Sequence, residues 1–86
     1  MPEICRFYGI TIKVFHRDHP PPHFHAEYGG EQAVFEIETL SVLAGGLRSR
    51  AARLVEEWAE LHREELRRVW QQAQNLEPLD QIDPLP

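Results

Sequence analysis

Apolar and polar residues alternate through the first half of the chain, and apolar residues recur every three or four positions through the second. Ile10, Ile12 and Val14 interleave with Thr11, Lys13 and Phe15. A period of two in β-branched residues predicts a strand. Gly9 breaks or bulges the run from Ile4 to Phe15. Asp18-His19-Pro20-Pro21-Pro22 stops it, because proline has no amide to donate and restricts the residue before it. His23 to Tyr28 is again extended, with Phe24, Ala26 and Tyr28 on one face and His23, His25 and Glu27 on the other. Gly29-Gly30 marks a tight hairpin turn, and Gln32 to Glu38 returns with Ala33, Phe35 and Ile37 as its apolar set. Ser41 to Ala44 adds a short last strand before Gly45-Gly46. The pattern predicts a three- or four-stranded antiparallel meander.

The second half predicts one helix from Arg48 to Gln74. Its apolar stripe is Ala51, Leu54, Val55, Trp58, Leu61, Leu66, Val69 and Ala73, and no proline occurs before Pro78. Trp58 and Trp70 are expected as core anchors. Glu64 and Arg68 stand four apart as a favourable pair. Such a helix would span about 40 Å, long for so small a domain, so it breaks or overhangs the sheet to meet another chain. One apolar sheet face laid on one amphipathic helix is a two-layer α+β fold. In residues 75–86, Leu76, Leu79, Ile82 and Leu85 recur every third position with prolines between. That period suits an extended, polyproline-like strip with one apolar edge. It packs on its own domain, frays, or docks on a partner.

Length makes the whole chain, residues 1–86, a single domain. A chain this small buries only about 60–70% of its unfolded surface, so a metal or a partner chain would help to hold it. The one cysteine, Cys5, permits no internal disulfide and is expected as a small buried hydrophobe. With no apolar leader at the start and no apolar run near the roughly 20 residues of a membrane span, the sequence predicts a cytoplasmic protein without membrane contact. Net charge is −5, made of −3 over residues 1–47, +1 over 48–74 and −3 over 75–86. That balance argues against loose, charge-driven nucleic-acid binding and leaves room for a local basic groove.

Candidate chemistry gathers at the proline turn. Four of the five histidines, His16, His19, His23 and His25, fall within ten residues. His23 and His25 stand two apart on a strand, so they share a face and could present two nitrogens to one metal ion such as zinc. His16, His19, Asp18 or Glu27 could supply a third ligand, although no standard zinc spacing is present. Arg17 has the geometry to clamp a phosphate or carboxylate, and Asp18 to fix a histidine tautomer. Arg17, Asp18, His19, His23 and His25 together hold the parts of metal-independent acid–base phosphodiester cleavage, namely a base, an acid and a cation. The same residues also suit a purely structural turn. His62 follows Trp58 by four and lies on or beside the apolar stripe, as a satisfied core histidine or as one lent to the sheet histidines.

The opening Met1-Pro2-Glu3-Ile4-Cys5-Arg6-Phe7-Tyr8-Gly9-Ile10 and the block from Arg17 to Tyr28 resemble the small bacterial proteins of the domain-of-unknown-function family DUF4160. So do Ala51 to Leu66 and the Glu77-Pro78-Leu79 tail. The chain departs from the family pattern at Thr39-Leu40-Ser41, where a glycine turn is common, and at Arg48, where proline often opens the helix. The resemblance implies a bacterial protein encoded beside a DUF2442 partner, in the toxin position of a type II toxin–antitoxin-like pair. It maps the family signature onto Arg17, Asp18, His19, His23, His25 and Tyr28, and Arg6, Tyr28 and His62 are further candidate binding residues. The expected function is therefore a toxin-like protein, inhibited by its antitoxin-like partner, that cleaves RNA or another phosphodiester. The alternative is a non-enzymatic protein- or metal-binding module that acts as a homo-oligomer or hetero-complex.

Overall fold

A computed structural model describes residues 2–86. Five strands form one antiparallel sheet in sequence order: β1 (Glu3–Phe7), β2 (Ile10–Lys13), β3 (His23–Tyr28), β4 (Glu31–Glu36) and β5 (Val42–Gly45). Two helices follow, α1 (Ser49–Leu61) and α2 (Arg63–Gln74). The α+β class and the meander hold, with five strands where three or four were expected. The extra strand arises at Tyr8-Gly9. Both residues adopt positive φ, 49° and 81°, so the chain reverses in a two-residue hairpin and not in a bulge. Glycine is required again where β5 ends. Gly45 has φ +69°, and a Cβ there would lie 2.2 Å from the Gln32 carbonyl oxygen.

The alternation sorts the sheet as expected. Ile10, Ile12, Phe24, Ala26, Ala33 and Phe35 are buried, and they face the helices. Trp58 of α1 anchors this layer. Its ring meets Phe24 edge-on at 5.9 Å and lies 5.5 Å from Phe7, while Phe24 stacks on Phe35 at 5.4 Å.

The predicted single helix is two. His62 leaves helical backbone, with φ −121° and ψ 24°, and the stripe restarts after it. The buried sets are Ala51, Val55, Trp58 and Ala59 in α1, then Leu66, Val69, Trp70 and Ala73 in α2. Leu61, placed in the stripe by its spacing, is 64% exposed, off the face that Val55, Trp58 and Ala59 bury. What bends the helix is its attachment to the far end of the sheet. Arg63 Nε–H donates to the Ile37 carbonyl, and Arg67 forks onto Glu38 at 2.7 and 2.8 Å. The expected Glu64–Arg68 pair is replaced: Glu64 meets Arg67, and Arg68 lies near Asp80. With the helix broken at His62, the described residues measure 33 × 26 × 22 Å. No helix among the described residues is long and apolar enough to cross a membrane.

Residues 75–86 pack on their own domain. The Ile82 amide donates to the Ile4 carbonyl at 2.9 Å, the Trp58 indole N–H to the Asp83 carbonyl at 2.8 Å, and the Tyr8 hydroxyl to the Pro86 carbonyl at 2.7 Å. Ile82 is only 5% exposed.

Candidate functional site

The loop from Phe15 to Pro22 turns at one end of the sheet, and α2 holds it there. The Arg17 amide donates to the Ala73 carbonyl at 3.2 Å, and the Gln74 side-chain amide donates to the Asp18 carbonyl at 3.1 Å. Arg17 takes a positive φ of 53°, and the Pro20–Pro21 peptide is cis. Held by α2 in this way, the loop turns the Asp18 side chain toward the start of β3.

Three of the predicted residues converge there. Asp18 Oδ2 lies 2.9 Å from His23 Nε2 and 3.2 Å from His25 Nε2. Its other oxygen accepts the His19 amide at 2.8 Å. His23 is buried, with its ring 5.1 Å from that of Trp70. Its Nδ1 lies 2.7 Å from the Pro21 carbonyl oxygen. A carbonyl only accepts, so Nδ1 carries the proton and donates. Nε2 then faces a carboxylate. Both ring nitrogens of His23 are thus aimed at acceptors, and the arrangement is complete only with a cation between Nε2 and Asp18, as in the doubly protonated ring. His25 is more open. The Phe15 ring packs perpendicular to it, 4.7 Å between centroids, and its Nδ1 has no hydrogen-bond partner among the described residues.

Asp18 is the hub. Burial of its carboxyl works against ionisation, but the His19 amide, the two imidazole hydrogen bonds and the charge of His23 outweigh that and hold it below its ordinary value. Asp18, His23 and His25 each offer one ligand atom, and all three atoms lie within 4.8 Å of one another.

The other candidates lie elsewhere. His19 contributes its backbone amide, and its ring is not tied into the cluster. Arg17 is exposed beside the cluster, and its guanidinium makes no hydrogen bond or ion pair among the described residues. His16 Nε2–H donates to the Glu77 carbonyl at 3.1 Å, and Glu27 pairs with Lys13 at 3.0 Å, so neither is a third ligand. Arg6 pairs with Glu3 on β1. Tyr28 lies under the Arg48 guanidinium, 5.2 Å from ring centroid to Cζ. His62 bonds Glu65 and packs on Trp58, as the satisfied core histidine and not as a member of the cluster. Pattern reading missed parts of the wall: Phe15 and the Pro21 carbonyl from the loop itself, Trp70 as the floor under His23, and Gln74. Trp70 and Gln74 are some fifty residues from the loop they support, and no local spacing signals that.

Fold and cluster together define a small antiparallel α+β protein with a histidine–carboxylate centre at one end of its sheet. The chain belongs to the family described as domain of unknown function (DUF4160), whose model matches residues 9–71 and so includes the entire centre. No curated protein and no solved structure matches the chain.

Proposed function

We propose that this chain is the toxin-like member of a two-protein bacterial module and that its centre cleaves a phosphodiester of RNA by acid–base chemistry. The observation that carries the proposal is the shared carboxylate. Asp18 accepts the Nε2–H of His25, which leaves the lone pair of that ring on the unpartnered Nδ1. Such a pairing fixes the tautomer and steadies the positive charge that develops when the ring takes a proton. His25 Nδ1 removes the proton of the attacking 2′-hydroxyl. The new oxygen–phosphorus bond forms, the bond to the leaving oxygen breaks, and that oxygen takes a proton from solvent. Asp18 and His23 are positioning residues, because their polar atoms are committed to one another and to the loop. Arg17, which directly precedes Asp18 and has no ion-pair partner among the described residues, supplies local positive charge within an acidic half-chain, while Lys13 is committed to Glu27. The partner acts by binding this chain directly.

Expression with and without the neighbouring gene tests the proposal. Growth should stop when the chain is expressed alone and recover with the partner. His25→Ala should abolish the arrest while the purified variant keeps its circular dichroism spectrum and loses RNA cleavage in chelator by about 100-fold or more. Unchanged growth under both conditions removes the toxin assignment, and full toxicity of His25→Ala removes this centre.

A further inference from the structure

We infer that Asp18 Oδ2, His23 Nε2 and His25 Nε2 bind one divalent first-row transition-metal ion. The inference starts from a conflict of lone pairs. The Pro21 carbonyl takes the Nδ1–H of His23 at 2.7 Å, so a neutral ring turns an unprotonated Nε2 toward Asp18 Oδ2 at 2.9 Å. His25 Nε2 approaches the same oxygen at 3.2 Å. Two electron pairs, those of His23 Nε2 and Asp18 Oδ2, thus face each other beside His25 Nε2, and the arrangement requires positive charge there. Protons supply it in one state, and a single ion bound to all three atoms supplies it in another.

Distances and chemistry fit the ion. Metal–nitrogen and metal–oxygen bonds of about 2.0–2.2 Å place neighbouring ligand atoms roughly 2.9–3.5 Å apart, depending on coordination number. The two separations from Asp18 Oδ2, 2.9 and 3.2 Å, fall in that span. The outer shell is in place for His23 and Asp18. A backbone carbonyl orients His23, the His19 amide holds the second oxygen of Asp18 at 2.8 Å, and Gln74 holds the Asp18 carbonyl at 3.1 Å. Metal-binding histidines and carboxylates characteristically have such partners. Two imidazoles and one carboxylate select zinc, cobalt and their neighbours over calcium or magnesium, which take oxygen ligands. The Asp18 and His25 side chains are 24% and 27% exposed, so water reaches the remaining coordination positions.

This deepens the reading of the centre as an acid–base site by naming a regulator of it. An ion on His25 Nε2 displaces the proton that fixes the tautomer, so the metal-loaded and proton-transferring forms are alternative states of one site. Zinc therefore inhibits.

Titration of the chelator-stripped chain with Zn2+ and Co2+, followed by calorimetry and by the visible absorption of Co2+, tests the inference. One ion per chain is expected, with a Co2+ spectrum of nitrogen–oxygen coordination. His25→Gln, at the more open position, should weaken binding by about 100-fold and Asp18→Asn by at least 10-fold, with circular dichroism unchanged. His16→Gln, His19→Gln and His62→Gln should bind as the parent does. Binding that survives in His25→Gln, or no binding up to millimolar ion, overturns the inference. A chain that cleaves no RNA yet binds one ion through these residues would sink the acid–base reading alone. A chain that cleaves RNA and binds no ion would sink only the metal site.

Discussion

The two edges of the sheet are finished in opposite ways. At β1 the chain returns on itself. Ile82 joins Ile4 by a backbone hydrogen bond, the Gln81 side chain reaches the Glu3 carbonyl, and Asp83 is tied to Trp58 beneath. At β5 no segment returns among the described residues. Val42 and Leu43 are 47% and 45% exposed, and β5 carries no charged residue or proline. An unpaired strand edge is a template for further pairing, and proteins limit it by shortening, bulging or covering it. This molecule covers one edge. It limits the other by length and irregularity: β5 has four residues, its register shifts against Val34 and Phe35, and Gly45 turns the chain away. The matched family segment, residues 9–71, contains the bare edge and neither β1 nor the tail that covers it.

Ile82→Ala should be the heaviest blow to the covered edge. It deletes a buried side chain at the junction of tail, strand and helix, and about 2–5 kcal/mol of stability should disappear in urea denaturation. A loss below about 0.5 kcal/mol would show that the tail contributes nothing to the edge.

The thiol beneath the tail gives a second measure. Burial pushes Cys5 up from 9.0 to about 11, with the Asp83 and Glu3 charges adding to the rise and hydrogen bonds from Arg6 and Trp58 opposing it. The unfolded chain therefore releases this proton first as pH rises. The thiol's contribution is intact below about pH 9 and declines as pH climbs toward 11. Denaturation curves of the parent and Cys5→Ala should diverge across that window. Thiol labelling at pH 8 should be slow in the parent and faster in Ile82→Ala. Equal labelling rates would mean that the tail does not shield β1.

At the bare edge the expected effect is smallest. Leu43→Lys should shift stability by no more than about 0.5 kcal/mol and should reduce light scattering at high protein concentration. A large loss of stability would mean that β5 is packed and not free.

The same contrast explains what pattern reading could reach. Period two revealed β2, β3 and β4, and the short Ser41–Ala44 run pointed to β5, because each strand buries one face in a shared core. Gly9 was legible as an interruption. The full reversal was not, because it also needs Tyr8 in a left-handed conformation that few tyrosines adopt. The break at His62 carries no proline or glycine. It is imposed by contacts of Arg63 and Arg67 with residues some twenty-five to thirty positions earlier. In the candidate site the crowding of histidines at a proline turn was visible. That Asp18 is the hub, and that His16, His62, Arg6 and Tyr28 face other partners, follows from how the loop is clamped by α2. Alternation records which residues are inside. It does not record which turn brings a carboxylate to a ring.

The tail's hydrogen bonds from Gln81 to Glu3 and from Tyr8 to Pro86 each span 78 positions of sequence. Contacts at that separation close the largest loops in the chain, and closure costs entropy before it returns any stability. Sheet and helices are therefore expected to assemble before the tail finds its seat. Local opening runs the other way. The Ile82 amide, held by one backbone bond at the edge of the sheet, should exchange its hydrogen with solvent earlier than the amides of β2 and β3. The tail is a latch closed over a finished body, expected to be set late in assembly and to open before the strands beneath it.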